Sequence, residues 1–172
     1  SRSKGDQIVF MDGDMDINTR QVIGALRTFF KRSPDMLIGS KYLKKSRTYY
    51  PTIRFIYSLV LRIVIRVLFK LSVTDTQVGL KIFRRNVLTE ALPRLIIKRF
   101  AVDLELLLVS NLIGYTNIIE YPVVVRYATS HQSTINLVAV KNFCMDVAAL
   151  FYRKNFLHYY DTPSKENTVP YL

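Results

Sequence analysis

Gln7 and the apolar residues 8–11 form a short run that ends abruptly in Asp12, Gly13, Asp14, Met15 and Asp16. An uninterrupted apolar run closed by a turn residue predicts a strand buried on both faces, as in a parallel sheet. Beyond it, Val22, Ile23, Leu26, Phe29 and Phe30 recur at helical spacing, which predicts a helix with one buried face, capped by Asn18 and stopped at Ser33-Pro34. Residues 36–40 read as the next strand, 41–47 as a basic loop and 52–71 as a long apolar helix. A polar loop at 75–79 leads into a strand at 80–83, and a short helix is expected at 86–93. A further helix begins near Asp103 and stops at Gly114. Residues 117–127 read as one extended strand, with Pro122 marking an edge or bulge. A second apolar helix over 134–153 is the natural partner of 52–71. The tail from 155, rich in Tyr and polar residues, reads as loosely ordered. This order of elements predicts an α/β fold: one unit over 1–154, then a polar tail over 155–172.

Composition sharpens this picture. With 172 residues, 49% hydrophobic, the chain is long enough for one well-formed core. Its single cysteine, Cys144, excludes an internal disulfide framework and a cysteine metal site, and fits a reducing compartment. Cys144 falls in the apolar pattern of 134–153 and is expected in the core or at an interface. An apolar first strand so near the start suggests the later part of a larger domain, with earlier βα units missing.

The net charge of +12 calls for an anionic partner, and it is unevenly spread. From Met36 to Thr74 there is no Asp or Glu but eight basic residues. Within 52–71, positions 54, 58, 62, 66 and 70 trace one stripe, cationic at all but Ser58, on an otherwise aliphatic helix. So many charges disfavour a membrane span. The pattern fits a helix lying in an anionic membrane interface, or an amphipathic helix packed on the sheet. A nucleic-acid binder is disfavoured, because the cations interleave with aliphatics and no reading module is present.

Candidate chemistry gathers at loop ends. Ligands of open α/β sheets sit beyond the carboxyl ends of strands. Asp12 and Asp14 flanking Gly13 there form an oxygen cluster suited to a hard divalent ion, or simply a turn. The loop at 41–47 is either solvated or phosphate-binding. Gly79 would allow a ligand to approach the backbone closely. Asp103 and Glu105 fall in the first turn of their helix, where they either complement its dipole or belong to an active site.

Taken together, the motifs resemble a family. The segments Phe10-Met11-Asp12-Gly13-Asp14, Ile38-Gly39-Ser40-Lys41-Tyr42, Asp75-Thr76-Gln77-Val78-Gly79-Leu80-Lys81-Ile82-Phe83 and Phe100-Ala101-Val102-Asp103-Leu104-Glu105-Leu106-Leu107 resemble, in order, four blocks of the polyprenol-phosphate (dolichyl-phosphate type) glycosyltransferases, inverting family 2 enzymes of GT-A fold. Lys41 stands where that family usually has Arg, and Asp16 where relatives often have Gln. The resemblance covers roughly residues 5–150 and implies a GT-A fold incomplete at the N-terminus, to which the charge pattern adds amphipathic membrane-interface helices at about 52–71 and 134–153.

It also implies a hexosyltransferase moving sugar from a nucleoside diphosphate sugar, UDP-glucose or a related donor, to a polyprenyl phosphate. Mg2+ or Mn2+ would be held by Asp12 and Asp14, with Asp16 in or near its shell. By the same resemblance Lys41, Arg54, Lys81 and Arg126 are candidate phosphate contacts, and Asp75, Thr76 and Gln77 form a substrate loop. Asp103 or Glu105 would position the acceptor, or act as base if the acceptor were a hydroxyl. A phosphate monoester is already ionised near neutral pH, so that acceptor needs no dedicated base. The expected location is membrane-associated, at the cytoplasmic face. The expected partners are the donor, the lipid phosphate and an anionic membrane surface, with no nucleic acid. A hydroxyl acceptor is the rival within the enzyme class. A non-catalytic basic module binding a membrane or nucleic acid is the rival outside it. Without the first nucleotide-binding strands, the chain alone is not expected to turn over.

Overall fold

The computed structural model describes residues 4–13, 16–49, 52–98, 101–126 and 137–161, without the side chains of 48, 49, 52–57, 137 and 139. Its core is a mixed sheet in the order β1 (Gln7–Met11), β4 (Leu80–Arg84), β2 (Met36–Ser40), β5 (Ile118–Pro122). β4 runs antiparallel to both β1 and β2, and β2 runs parallel to β5. The doubly buried strands are therefore β2 and β4. β1 is paired on one side only among the described residues, and Val9, Phe10 and Met11 are exposed. This corrects the expectation of a parallel strand buried on both faces: an apolar run reports where side chains prefer to be, not how many neighbours the backbone has.

Helix α1 (Thr19–Arg32) starts where Asn18 accepts a bond from the Arg20 N–H at 2.8 Å. Lys31 and Arg32 complement its C-terminal dipole. Ser33 then turns left-handed, and its N–H donates to Phe29 O. Ala25 and Phe29 are buried under it, but Ile23 and Phe30 face outward. The buried stripe is thus rotated from the predicted one, toward Val22, Ala25, Leu26 and Phe29. Burying a ring such as Phe29 contributes roughly 1.5–3 kcal/mol.

The expected single strand at 117–127 is two strands. β5 ends at Pro122, which has no N–H to extend a ladder. Val123 is fully buried, its N–H donates to Ser40 O, and its carbonyl accepts from the Arg47 N–H. The chain then enters a second, two-stranded sheet, where β6 (Val124–Arg126) runs parallel to β3 (Arg47–Tyr49). The end of the predicted basic loop is thus a short strand.

Helix α3 (Arg85–Ala91) and one 3-10 turn (Leu92–Arg94) lead to α4 (Val102–Leu112), which is buried continuously from Leu104 to Ser110. Gly114, at φ 102°, ends it in a backbone conformation that a Cβ would disfavour.

Helices α2 (Thr52–Phe69) and α5 (Leu137–Asn155) pack on each other, with Phe69 and Phe151 rings 6.4 Å apart. α2 buries Ile65 and Phe69, but Val60, Ile63, Val64 and Val67 face outward. The stripe through 58, 62, 66 and 70 is divided. Ser58 and Arg62 are half-buried against Tyr42, while Arg66 and Lys70 are exposed. No helix among the described residues is long and apolar enough to cross a membrane. Cys144 is exposed on α5, which removes the core from the two places expected for it. Residues 156–161, read from sequence as the start of a loose tail, fold back, and Tyr160 is buried.

Candidate active site

The acidic turn and the loop at 75–79 meet because β1 and β4 are antiparallel neighbours, with Met11 opposite Leu80. The Asp12 N–H donates to Gly79 O at 2.9 Å, and the Asp12 carboxylate lies directly over Gly79. A Cβ at 79 would collide with Asp12 Oδ2 and the carbon behind it, closer than Cβ atoms come to their neighbours. The close approach anticipated at Gly79 is therefore made by Asp12 itself. Asp14 lies outside the described residues. Asp16 accepts the Arg126 N–H on its carbonyl at 3.0 Å, and Ile17 bridges Val125. Exposed Arg126 is thereby brought beside the acidic turn, although it is 110 positions further along the sequence than Asp16.

The loop is built around Asp75, which is 4% exposed. One carboxylate oxygen accepts the Gln77 N–H at 3.2 Å, an Asx-type turn. The other accepts the Lys41 N–H at 3.2 Å and pairs with the Lys41 ammonium at 3.4 Å. Lys41 thus meets a carboxylate of its own chain. Thr76 is buried behind it. Gln77 Nε2 is buried with no hydrogen-bond partner among the described residues, a donor facing nothing that accepts.

Lys81 sits in central strand β4 and is 2% exposed. A buried ammonium needs partners. It finds Val78 O at 2.6 Å and Asp103 Oδ2 at 3.0 Å. It therefore ties the 75–79 loop to the start of α4, and the Asp103 side chain stays 40% exposed. Glu105 differs: it is fully buried and accepts from the Ile96 and Ile97 N–H groups and from the Tyr160 hydroxyl. Its carboxylate is used within the protein. The backbone of Arg54 is helical, but its side chain lies outside the described residues.

Several contributors were not singled out from sequence. Glu120 accepts from both the N–H and the hydroxyl of Thr74, at 2.7 and 2.6 Å, and Thr74 is bonded in turn to Ser40 at 2.8 Å. This network holds the entry to the 75–79 loop against the end of β2. A lone carboxylate in an otherwise apolar strand was the available signal. Tyr42 bonds Ser58 and lies under the Arg62 guanidinium, 4.5 Å from its ring centroid, so the 41–46 loop is anchored on α2.

Among the described residues, no three His, Cys, Asp or Glu side chains gather as a closed metal cage. A hard ion that keeps waters and substrate oxygens needs only one or two protein carboxylates. Asp12, seated at an exposed strand end with Asp14 next but one in sequence, fits that requirement. A groove of about 620 Å³ opens at the other end of the sheet, beside Asp6, Phe29 and Arg84. The arginines there are bonded to the carbonyls of Gly5, Ser33 and Pro34. The acidic end, beyond the carboxyl ends of parallel β2 and β5, is the better candidate.

No family model and no curated protein matches the chain. Solved structures do. Glucosyl-3-phosphoglycerate synthase from Mycobacterium tuberculosis, in complex with uridine diphosphate, matches with a TM-score of 0.61 at 16% identity, over 95% of this chain and 52% of that one. The same enzyme in complex with Mn2+, UDP-glucose and phosphoglyceric acid matches with a TM-score of 0.62 at 14% identity, over the same shares. Its complex with Mn2+, UDP-glucose and glycerol 3-phosphate gives 0.59 at 16%. The α/β architecture with its mixed sheet is thus a GT-A glycosyltransferase fold, and the chain spans about half the length of these solved proteins.

Proposed function

We propose that this chain is part of a glycosyltransferase that moves a hexosyl group from a nucleoside diphosphate sugar, UDP-glucose or a close relative, to a polyprenyl phosphate at the cytoplasmic face of a membrane. The observation carrying the proposal is the seat of Asp12 over Gly79, facing the Asp75 loop and beside Arg126. The GT-A fold supports nucleotide-sugar transfer in general, and the four sequence blocks support the lipid phosphate acceptor.

In this reading Asp12 and Asp14, with Asp16 near them, hold Mg2+ or Mn2+; the solved synthase is in complex with Mn2+ in two of these structures. When bound, such an ion neutralises charge on a departing diphosphate. The chain's own residues do the rest. Arg126 contributes positive charge beside the diphosphate, and the unpaired Gln77 amide offers a donor to a donor-substrate oxygen. Lys41 and Arg54 hold the acceptor phosphate, Lys41 by exchanging Asp75 for it. Lys81 holds Asp103 and the loop in register. The outward stripe Val60, Ile63, Val64 and Val67, with Arg66 among them, supports contact with an anionic lipid surface.

The half-exposed Asp103 carboxylate favours one second reading, a hydroxyl acceptor deprotonated by Asp103. Incubating the protein of natural length with UDP-glucose, Mn2+ and a polyprenyl phosphate tests the choice. Sugar in a lipid-extractable phosphodiester is the expected product, and Asp14→Asn should abolish it. Transfer only to water-soluble hydroxyl acceptors would overturn the lipid phosphate assignment, and undiminished transfer by Asp14→Asn would overturn the metal site.

A further inference from the structure

We infer that Tyr160 is a positioning residue for the acceptor side of this site, acting through Glu105 on the first turn of α4. Its activity arm rests on the proposed transfer reaction. The contacts stand apart from that reading.

Glu105 is fully buried, so its oxygens must be satisfied inside the protein. Ile96 and Ile97 satisfy them locally, at 3.1 and 2.8 Å to Oε2. The long-range donor is Tyr160, 55 residues away, at 2.5 Å to Oε1. Tyr160 is itself 2% exposed, and its segment is held by the bond from the Tyr159 N–H to Arg153 O. The chain beyond α5 is thereby fastened to the beginning of α4.

Asp103 lies two residues earlier on the same turn. Two residues in a helix are separated by about 200°, so Asp103 and Glu105 work on opposite sides of α4. Glu105 faces the 95–98 segment and Tyr160. Asp103 faces Lys81, which grips Val78 O in the substrate loop. A shift of the α4 start at the Tyr160 side is a shift of Asp103 at the other. Removing only the phenolic oxygen keeps the ring packing but leaves Glu105 without its long-range donor.

The test is Tyr160→Phe in the protein of natural length, with UDP-glucose and a short-chain polyprenyl phosphate. With Asp103 positioning the acceptor, and Gln77 held separately by the bond from its N–H to Asp75, KM for the acceptor should rise about fivefold while donor KM and kcat stay within about twofold. Amide hydrogen exchange should quicken in 95–105 and 78–81 but not in 36–40. In a Glu105→Gln background, Tyr160→Phe should add less than about twofold, because both act through one contact. Equal rises in both KM values, additive effects, or exchange quickening uniformly would each overturn the inference. If Glu105→Gln does not fold, the exchange pattern of Tyr160→Phe alone decides. If the unaltered protein transfers no sugar, the functional reading fails while the inference is still judged, and unchanged exchange at 78–81 overturns it.

Discussion

At the acidic end of the sheet, charge is taken inside and matched. Lys41 meets Asp75, Lys81 meets Asp103, and Asp12 is pressed onto a glycine. On the α2–α5 layer the arrangement is reversed: aliphatic side chains face outward and two cations beside them are free of the core. The contrast separates two kinds of constraint. In the first region the backbone, the carboxylates and one missing Cβ determine each other, so a small change propagates. In the second, the outward residues contribute little to the fold, and their exposure asks for an external apolar partner.

The difference is broken most severely at Gly79. Gly79→Ala puts a methyl group where the Asp12 carboxylate lies and must displace it. Transfer should fall by at least about 100-fold, and Mn2+ affinity, read by titration calorimetry, by about tenfold. A wild-type rate with wild-type Mn2+ affinity would remove Asp12 from the site.

On the helical side, replacing Val60, Val64 and Val67 with Ser should weaken binding to anionic vesicles by about tenfold or more. Because all three are exposed, the melting temperature should move by no more than about 2–3 °C. Vesicle sedimentation that is unchanged by the triple substitution would place the lipid contact elsewhere.

A smaller effect sharpens the first region. Burial and then the bond to Glu105 raise the Tyr160 pKa well above its ordinary 10.0. Below that value the phenol is protonated in folded and unfolded chains alike, and its contribution does not vary with pH. Above it the unfolded chain ionises first, so folding stability falls as pH rises. Tyr160→Phe should flatten that alkaline decline by up to about 1.4 kcal/mol per pH unit, seen in urea midpoints between about pH 9 and 11. An identical slope in the variant would mean that the phenol is not buried in solution.

Much of this is legible in the sequence. Asn18 capped its helix, β2 and β4 lay where their apolar runs placed them, and α2 and α5 paired. Each depends on near neighbours in sequence, through capping, periodicity or a turn. Asp103 and Glu105 were indistinguishable, because both occupy the same first turn and their fates turn on elements far away: Lys81 in one case, Tyr160 in the other. The division of 117–127 between two sheets was hidden for the same reason, since only the positions of β2 and β3 decide where β5 must end.

By itself, then, the sequence determined the local elements, the basic segment from 36 to 74 and the meeting of an acidic turn with a strand end, because spacing and residue type act over a few positions. Only the tertiary structure decided that β1 is antiparallel to β4, that Asp12 lies on Gly79, that Lys41 and Lys81 are already paired, and that Tyr160 reaches back to Glu105. Those are contacts between distant stretches, set by which surfaces the core brings within bonding distance, and no local pattern encodes them.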